Sequence, residues 1–167
     1  MRWFHYFLVT LVFILMQLVV ADRIALGPVA PDFLILIVAF FALYRGASQG
    51  SVFGFVMGFL QDLTNPGFLG LNAMTKSILG YTIGTAGTKT FPENAPFLFA
   101  LFMAASFGHD GIYLIFYTWP HVGSAVVAIF TIALPSAAYT AVFGVLTHRF
   151  MSLATPKAVE AYGKEGQ

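Results

Sequence analysis

Between Gly46 and Thr88 small residues recur every fourth position, and no other feature narrows so sharply what this chain can fold into. The first half carries Gly46, Gly50, Gly54 and Gly58, and the next step of the series is Asp62. The second half repeats the device with Asn72, Lys76, Gly80, Gly84 and Thr88. On a helix of about 3.6 residues per turn, such a series makes a smooth strip that winds slowly round the cylinder. It suits a right-handed crossing of roughly −40°, in which backbones touch. Two closely packing helices are expected here, one strip ending in a carboxylate and the other holding an ammonium. They are joined by the polar turn from Asp62 to Asn72.

These strips lie in an apolar chain. Of 167 residues 59% are hydrophobic and 9% charged, and the mean hydropathy is +0.83, far from the soluble range. An all-α integral membrane protein is expected. The net charge of +1 comes without any cluster of Lys and Arg, so no nucleic-acid partner is expected. Cys is absent, which removes disulfides, thiolate metal sites and Cys nucleophiles. Nineteen Phe and seven Tyr supply packing and interface anchoring where charge is scarce.

Six transmembrane helices are expected, in a domain over residues 1–150. The first, about 3–21, nearly crosses a hydrocarbon core of ~30 Å. Its Arg2 start and Val19-Val20-Ala21 end also resemble a signal peptide, but the apolar run is long for one. The second span, about 29–45, opens at Pro31-Asp32, where a proline suits the first turn and a carboxylate complements the helix dipole. The glycine-bearing spans follow at about 48–63 and 71–88. A loop with Lys89, Pro92, Glu93 and Pro96 leads to a fifth, about 97–119, which carries His109 and Asp110. The sixth, about 122–148, is expected to kink at Pro135, and residues 151–167 to form a short cytoplasmic tail.

With both termini in the cytoplasm, the inside segments hold Arg2, Arg45, Lys89, Arg149, Lys157 and Lys164, and the outside loops only Arg23. The bias of basic residues toward the inside supports that orientation. It also brings Asp62, Lys76 and Asp110 to one depth near the outer face. A lone charge in the bilayer costs at least ~2.5–3.5 kcal/mol, so Lys76 is expected to pair with Asp62, Asp110 or both. Ser106, Tyr113 and Tyr117 extend a polar face from Asp110. This cluster of Asp62, Asn72, Lys76 and Asp110 is open to three readings: a structural tie that fixes helix register, a substrate or proton site opening outward, or a contact for a partner helix. No HExxH, GxSxG or phosphate-cradling loop is present, so neither catalytic residues nor a cofactor are expected. The remaining histidines, His5, His121 and His148, fall near helix ends, and no metal site is expected.

A longer pattern runs through the same region: Pro31-Asp32-Phe33-Leu34, then Tyr44-Arg45-Gly46, then Gly50, Gly54 and Gly58 through to Gln61-Asp62-Leu63. It continues as Pro66-Gly67-Phe68-Leu69-Gly70-Leu71-Asn72-Ala73, and Leu79-Gly80-Tyr81 with Gly84. In order and spacing this segment resembles the bacterial rod-shape-determining MreD family, and Pro31, Asp32, Pro66, Gly70, Leu71 and Tyr81 are the motif positions that carry the likeness. The resemblance implies a non-enzymatic scaffold of the elongasome, or Rod complex. Its implied partners are MreC, membrane lipids and, indirectly, the MreB filament, RodA and its class B penicillin-binding transpeptidase. A second copy of the chain is a further candidate. The implied fold is similar to the membrane S component of energy-coupling-factor transporters, which supplies an alternative: a substrate-binding subunit for vitamin uptake, with Asp110, Tyr113 and Lys76 in its pocket. In the scaffold reading the glycine strips and the turn before Asn72 are contact surfaces for MreC.

Overall fold

The computed structural model describes residues 2–64, 68–87, 94–119 and 121–154, and everything regular among them is helical. Helix α1 (Arg2–Leu15) runs on through a π turn at Met16–Val20. Then come α2 (Phe33–Arg45), α3 (Ala47–Thr64), α4 (Leu71–Gly87) and α5 (Ala95–Thr118). Helix α6 (Val122–Ala128) continues through a second π turn, Ile129–Ala133, into α7 (Leu134–Ala154). Two helical runs, Ala95–Thr118 and Gly123–Phe150, are long and apolar enough to cross a membrane by length and composition. Pro66 and the loop and tail positions Lys89, Lys157 and Lys164 lie outside the described residues.

The middle of the molecule is α2. Ten of its thirteen residues are buried, from Phe33 through Phe40 together with Ala42 and Leu43. A helix apolar on every side must be enclosed by others, and α2 touches α1, α3, α4, α5 and α7. Edge-on rings lock it in place: Phe33 against Phe143 at 5.4 Å and Phe40 against Phe102 at 5.1 Å between centroids. The helix starts at Phe33 and not near residue 29, because Asp32 is its N-cap. The Asp32 side chain accepts from Leu34 N–H at 2.8 Å and from Ile35 N–H at 2.9 Å. It ends at Gly46, whose φ of 82° is a left-handed conformation that favours glycine, so α3 can begin at the next residue with no loop.

Helices α3 and α4 then pack as a glycine zipper. A methyl group built on Gly54 would overlap the carbonyl of Lys76, one on Gly58 that of Asn72, and one on Gly80 that of Gly50. Gly84 stands in the same way against Gly46 and Ala47. The residue numbers climb by four on α3 as they fall by four on α4, so the two series are opposite sides of one antiparallel contact. Ser51 and Ser77 share a hydrogen bond of 2.9 Å across it.

Pro135 does not end the last helix. Its missing N–H would break the ladder one turn back, and there the helix widens to a π turn, with Leu134 N–H donating to Ile129 C=O. From the last residue of the π turn onward a strip of small residues faces inward: Ala133, then Ala137 and Ala141 of α7, are fully buried, and Gly144 sits against Phe102 and Leu36. The helix runs on to Ala154, past the start expected for the tail.

Candidate functional site

The polar residues of the apolar helices meet at one end of the bundle. Asp32 comes from the start of α2, Asp62 from the end of α3, Asn72 and Lys76 from the first turns of α4, and His109 and Asp110 from the second half of α5. In an antiparallel bundle these positions share one end, and short turns bring them there.

Asp62 is fully buried and caps α4. Its two oxygens accept from Gly70 N–H at 3.0 Å, Asn72 N–H at 3.2 Å, Ala73 N–H at 3.0 Å and the Asn72 side-chain amide at 3.0 Å. These are the otherwise unpaired donors of a helix N-terminus, and the dipole there favours an anion. Gly70 presents its N–H from φ 94°, another conformation that glycine adopts without strain.

Lys76 pairs elsewhere than expected. Its Nζ lies 2.7 Å from Asp32 Oδ2 and 3.0 Å from His109 Nε2, and its side chain has no exposed surface. Neither Asp62 nor Asp110 is its direct partner, because the carboxylate of Asp62 is already saturated by backbone donors. Asp110 reaches Lys76 only through the imidazole: His109 Nδ1 is 3.0 Å from Asp110 Oδ1, while Ser106 Oγ donates to Asp110 Oδ2 at 3.5 Å. With Lys76 charged against Asp32, Nε2 accepts and Nδ1 carries the proton toward Asp110. Asn72, its amide N–H held by Asp62, turns Oδ1 to the same Nε2 at 3.1 Å. The ring therefore faces a donor and an acceptor on one nitrogen and a carboxylate on the other.

Further bonds fasten the network to the remaining helices. Asp32 N–H donates to Thr140 Oγ1 of α7 at 3.0 Å, and Phe33 N–H to Gln17 Oε1 of the first π turn at 2.7 Å. Asp32, His109, Gln17 and Thr140 had not been placed in the cluster. Asp32 was legible as a helix start and His109 as an ionisable residue within an apolar span, whereas Gln17 and Thr140 carried no local signal. Tyr117 does not join the network: it is exposed, stacks on Tyr113 at 6.0 Å and meets Phe68 edge-on. Among the family-motif positions, Pro31 and Leu71 are buried beside the network. Tyr81 instead points outward, at 54% exposure.

A cavity of about 640 Å³ opens beside the network. Asp22, Asp32, Gln61, His109, Asp110 and Tyr113 supply part of its polar lining, and Leu18, Leu114 and Ile132 part of its apolar wall. No group of three or more His, Cys, Asp or Glu with metal-binding geometry occurs among the described residues.

A family model described as rod shape-determining protein MreD matches residues 1–153. The chain belongs to the MreD family. The match covers α1 to α7 to within a residue of the helical end, so membership rests on nearly the whole chain and not on the segment from Pro31 to Gly87 alone. MreD is a family of membrane proteins of the Rod complex with a part in cell shape. No curated protein and no solved structure matches the chain, and the transporter alternative draws no support from these comparisons.

Proposed function

We propose that this chain is a non-enzymatic scaffold of the Rod complex. In this reading it spans the bacterial cytoplasmic membrane six times with both termini inside, binds MreC, and so couples the MreB filament to RodA and its class B transpeptidase. The observation that carries the reading is the family match over residues 1–153. The character of the polar side chains agrees with it. The network residues bond one another or backbone N–H groups, and such interhelical bonds are suited to holding helices in register.

This reading moves the contact for MreC off the glycine strips, because Gly50, Gly54, Gly58, Gly80 and Gly84 pack closely on the chain's own backbone. A partner helix would instead meet the outward face of α3, where Val52, Phe55, Val56 and Phe59 are exposed and the rings of Phe55 and Phe59 lie parallel at 6.3 Å. Tyr81 on neighbouring α4 looks outward as well.

Capture of tagged MreC from solubilised membranes tests this. The wild-type chain is expected to co-purify, and Phe55→Ala/Phe59→Ala to reduce recovery by ~10-fold, the effect of losing a pair of well-packed aromatic contacts. Absence of the wild-type chain from the captured material would sink the scaffold reading. Full recovery of the double variant would remove this face as the contact.

A further inference from the structure

The cavity beside the network has the size and lining of a ligand site, and what it offers selects the ligand. Its volume of about 640 Å³ lies within the roughly 300–1,000 Å³ of small-molecule sites. Among the described residues three carboxylates line it, Asp22, Asp32 and Asp110, and no Lys or Arg does. The charge of Asp32 is balanced by Lys76, 2.7 Å behind it and fully enclosed. Asp110 has no such cation. It receives His109 Nδ1 and one long bond from Ser106, and its side chain is 23% exposed. A carboxylate can accept about four hydrogen bonds, so Asp110 has capacity left for a donor from the cavity.

A second acceptor is unfilled on a residue of the same wall. Gln61 lines the cavity, and its Oε1 is buried with no hydrogen-bond partner among the described residues. A buried amide oxygen left without a donor is costly, and a turn of the side chain toward a ligand N–H would remove that penalty. Tyr113 adds an aromatic ring to the lining, a group that attracts cations, and Leu18, Leu114 and Ile132 give apolar surface for the body of a ligand. A bare divalent metal would find too few grouped ligands here. An anion would face uncompensated carboxylates.

We propose that this cavity binds an organic cation, a primary ammonium or guanidinium on a short apolar body, with Asp110 as its counter-charge and Gln61 Oε1 as a second acceptor. Such a cation has two sources of the same chemistry: the ethanolamine headgroup of a phospholipid, or a free amine from the aqueous side. The site does not depend on the contact with MreC, and it requires no transport.

The full chain in dodecyl maltoside is titrated with hexylammonium, hexanoate or hexanol while thermal unfolding is followed by intrinsic fluorescence. In parallel it is placed in phosphatidylglycerol nanodiscs with and without phosphatidylethanolamine, and retained lipid is counted by native mass spectrometry. Hexylammonium is expected to raise the melting temperature saturably, as a ligand bound only by the native state does. Hexanoate and hexanol are expected to leave it unchanged. Asp110→Asn retains an acceptor for His109 yet removes the charge, and should weaken hexylammonium ~10-fold or more. Gln61→Leu should weaken it as well, and gives an independent reading if Asp110→Asn fails to fold. Retention of phosphatidylethanolamine by the wild type but not by Asp110→Asn assigns the lipid source; hexylammonium binding without such retention assigns the free amine. Equal responses to hexylammonium and hexanoate, undiminished affinity in both variants, or no response to either amine would overturn the proposal.

Discussion

Removing the ammonium of Lys76 would leave Asp32 facing His109 and Asp110 with no fixed cation at hand. Breaking a buried pair by deleting one member is strongly destabilising, by about 3–5 kcal/mol, because the remaining charge is uncompensated. Lys76→Met is therefore expected to unfold far more readily in micelles. Adding Asp32→Asn should recover most of the loss, since asparagine still caps α2 and brings no charge. Losses that simply add in the double variant would mean that the 2.7 Å contact contributes little. The need for a partner was legible in the sequence, because an ammonium within an apolar run must be answered. Its identity was not. Asp32 and Lys76 are 44 positions apart, on helices whose mutual placement no local spacing reveals, and Asp32 already had a sufficient role as a helix cap. One of its oxygens serves each purpose. Asp62, which looked like a partner for Lys76, has its oxygens filled by the backbone of α4.

Helices in this chain are told apart by where their small residues go. At Gly54 a side chain would strike the carbonyl of Lys76, which is backbone and cannot step aside, whereas at Gly108 nothing lies within 4 Å. Gly54→Ala is expected to lower stability by more than ~1 kcal/mol, through separation of α3 from α4, despite the better helix propensity of alanine. Gly108→Ala should raise stability by up to ~1 kcal/mol, since it gains that propensity with no clash. Thermal melts of the two variants check both signs, and a neutral Gly54→Ala would contradict the zipper. The four-residue period announced this contact, because a smooth strip has one evident use. That the two strips meet each other, and not a partner, depends on their running antiparallel through a turn of only a few residues. The inward strip leading into α7 is harder to read because it is written in alanine, with Ala133, Ala137 and Ala141 at the same spacing. The place of α2 at the centre was readable only as unbroken apolarity, since a helix with no polar face fits lipid and protein interior equally well.

At the scale of the molecule, the gathering of Asp32, Asp62, Lys76 and His109 at one end fits alternate helices running in opposite directions. It does not say which end faces outward; that comes from the distribution of basic residues. Because the chain has no cysteine, single cysteines can report it. A membrane-impermeant maleimide added to intact spheroplasts is expected to modify Asp22→Cys, and to modify Arg45→Cys only after permeabilisation; the reverse pattern would invert the topology. The enclosure of α2 also bears on how such a chain is made. Its N-cap carboxylate leaves the ribosome well ahead of the ammonium that will neutralise it, and its apolar flanks precede the helices that will cover them. Until α4 has been synthesised Asp32 must stay hydrated or protonated, so the segment translated second is among the last to settle into its final surroundings.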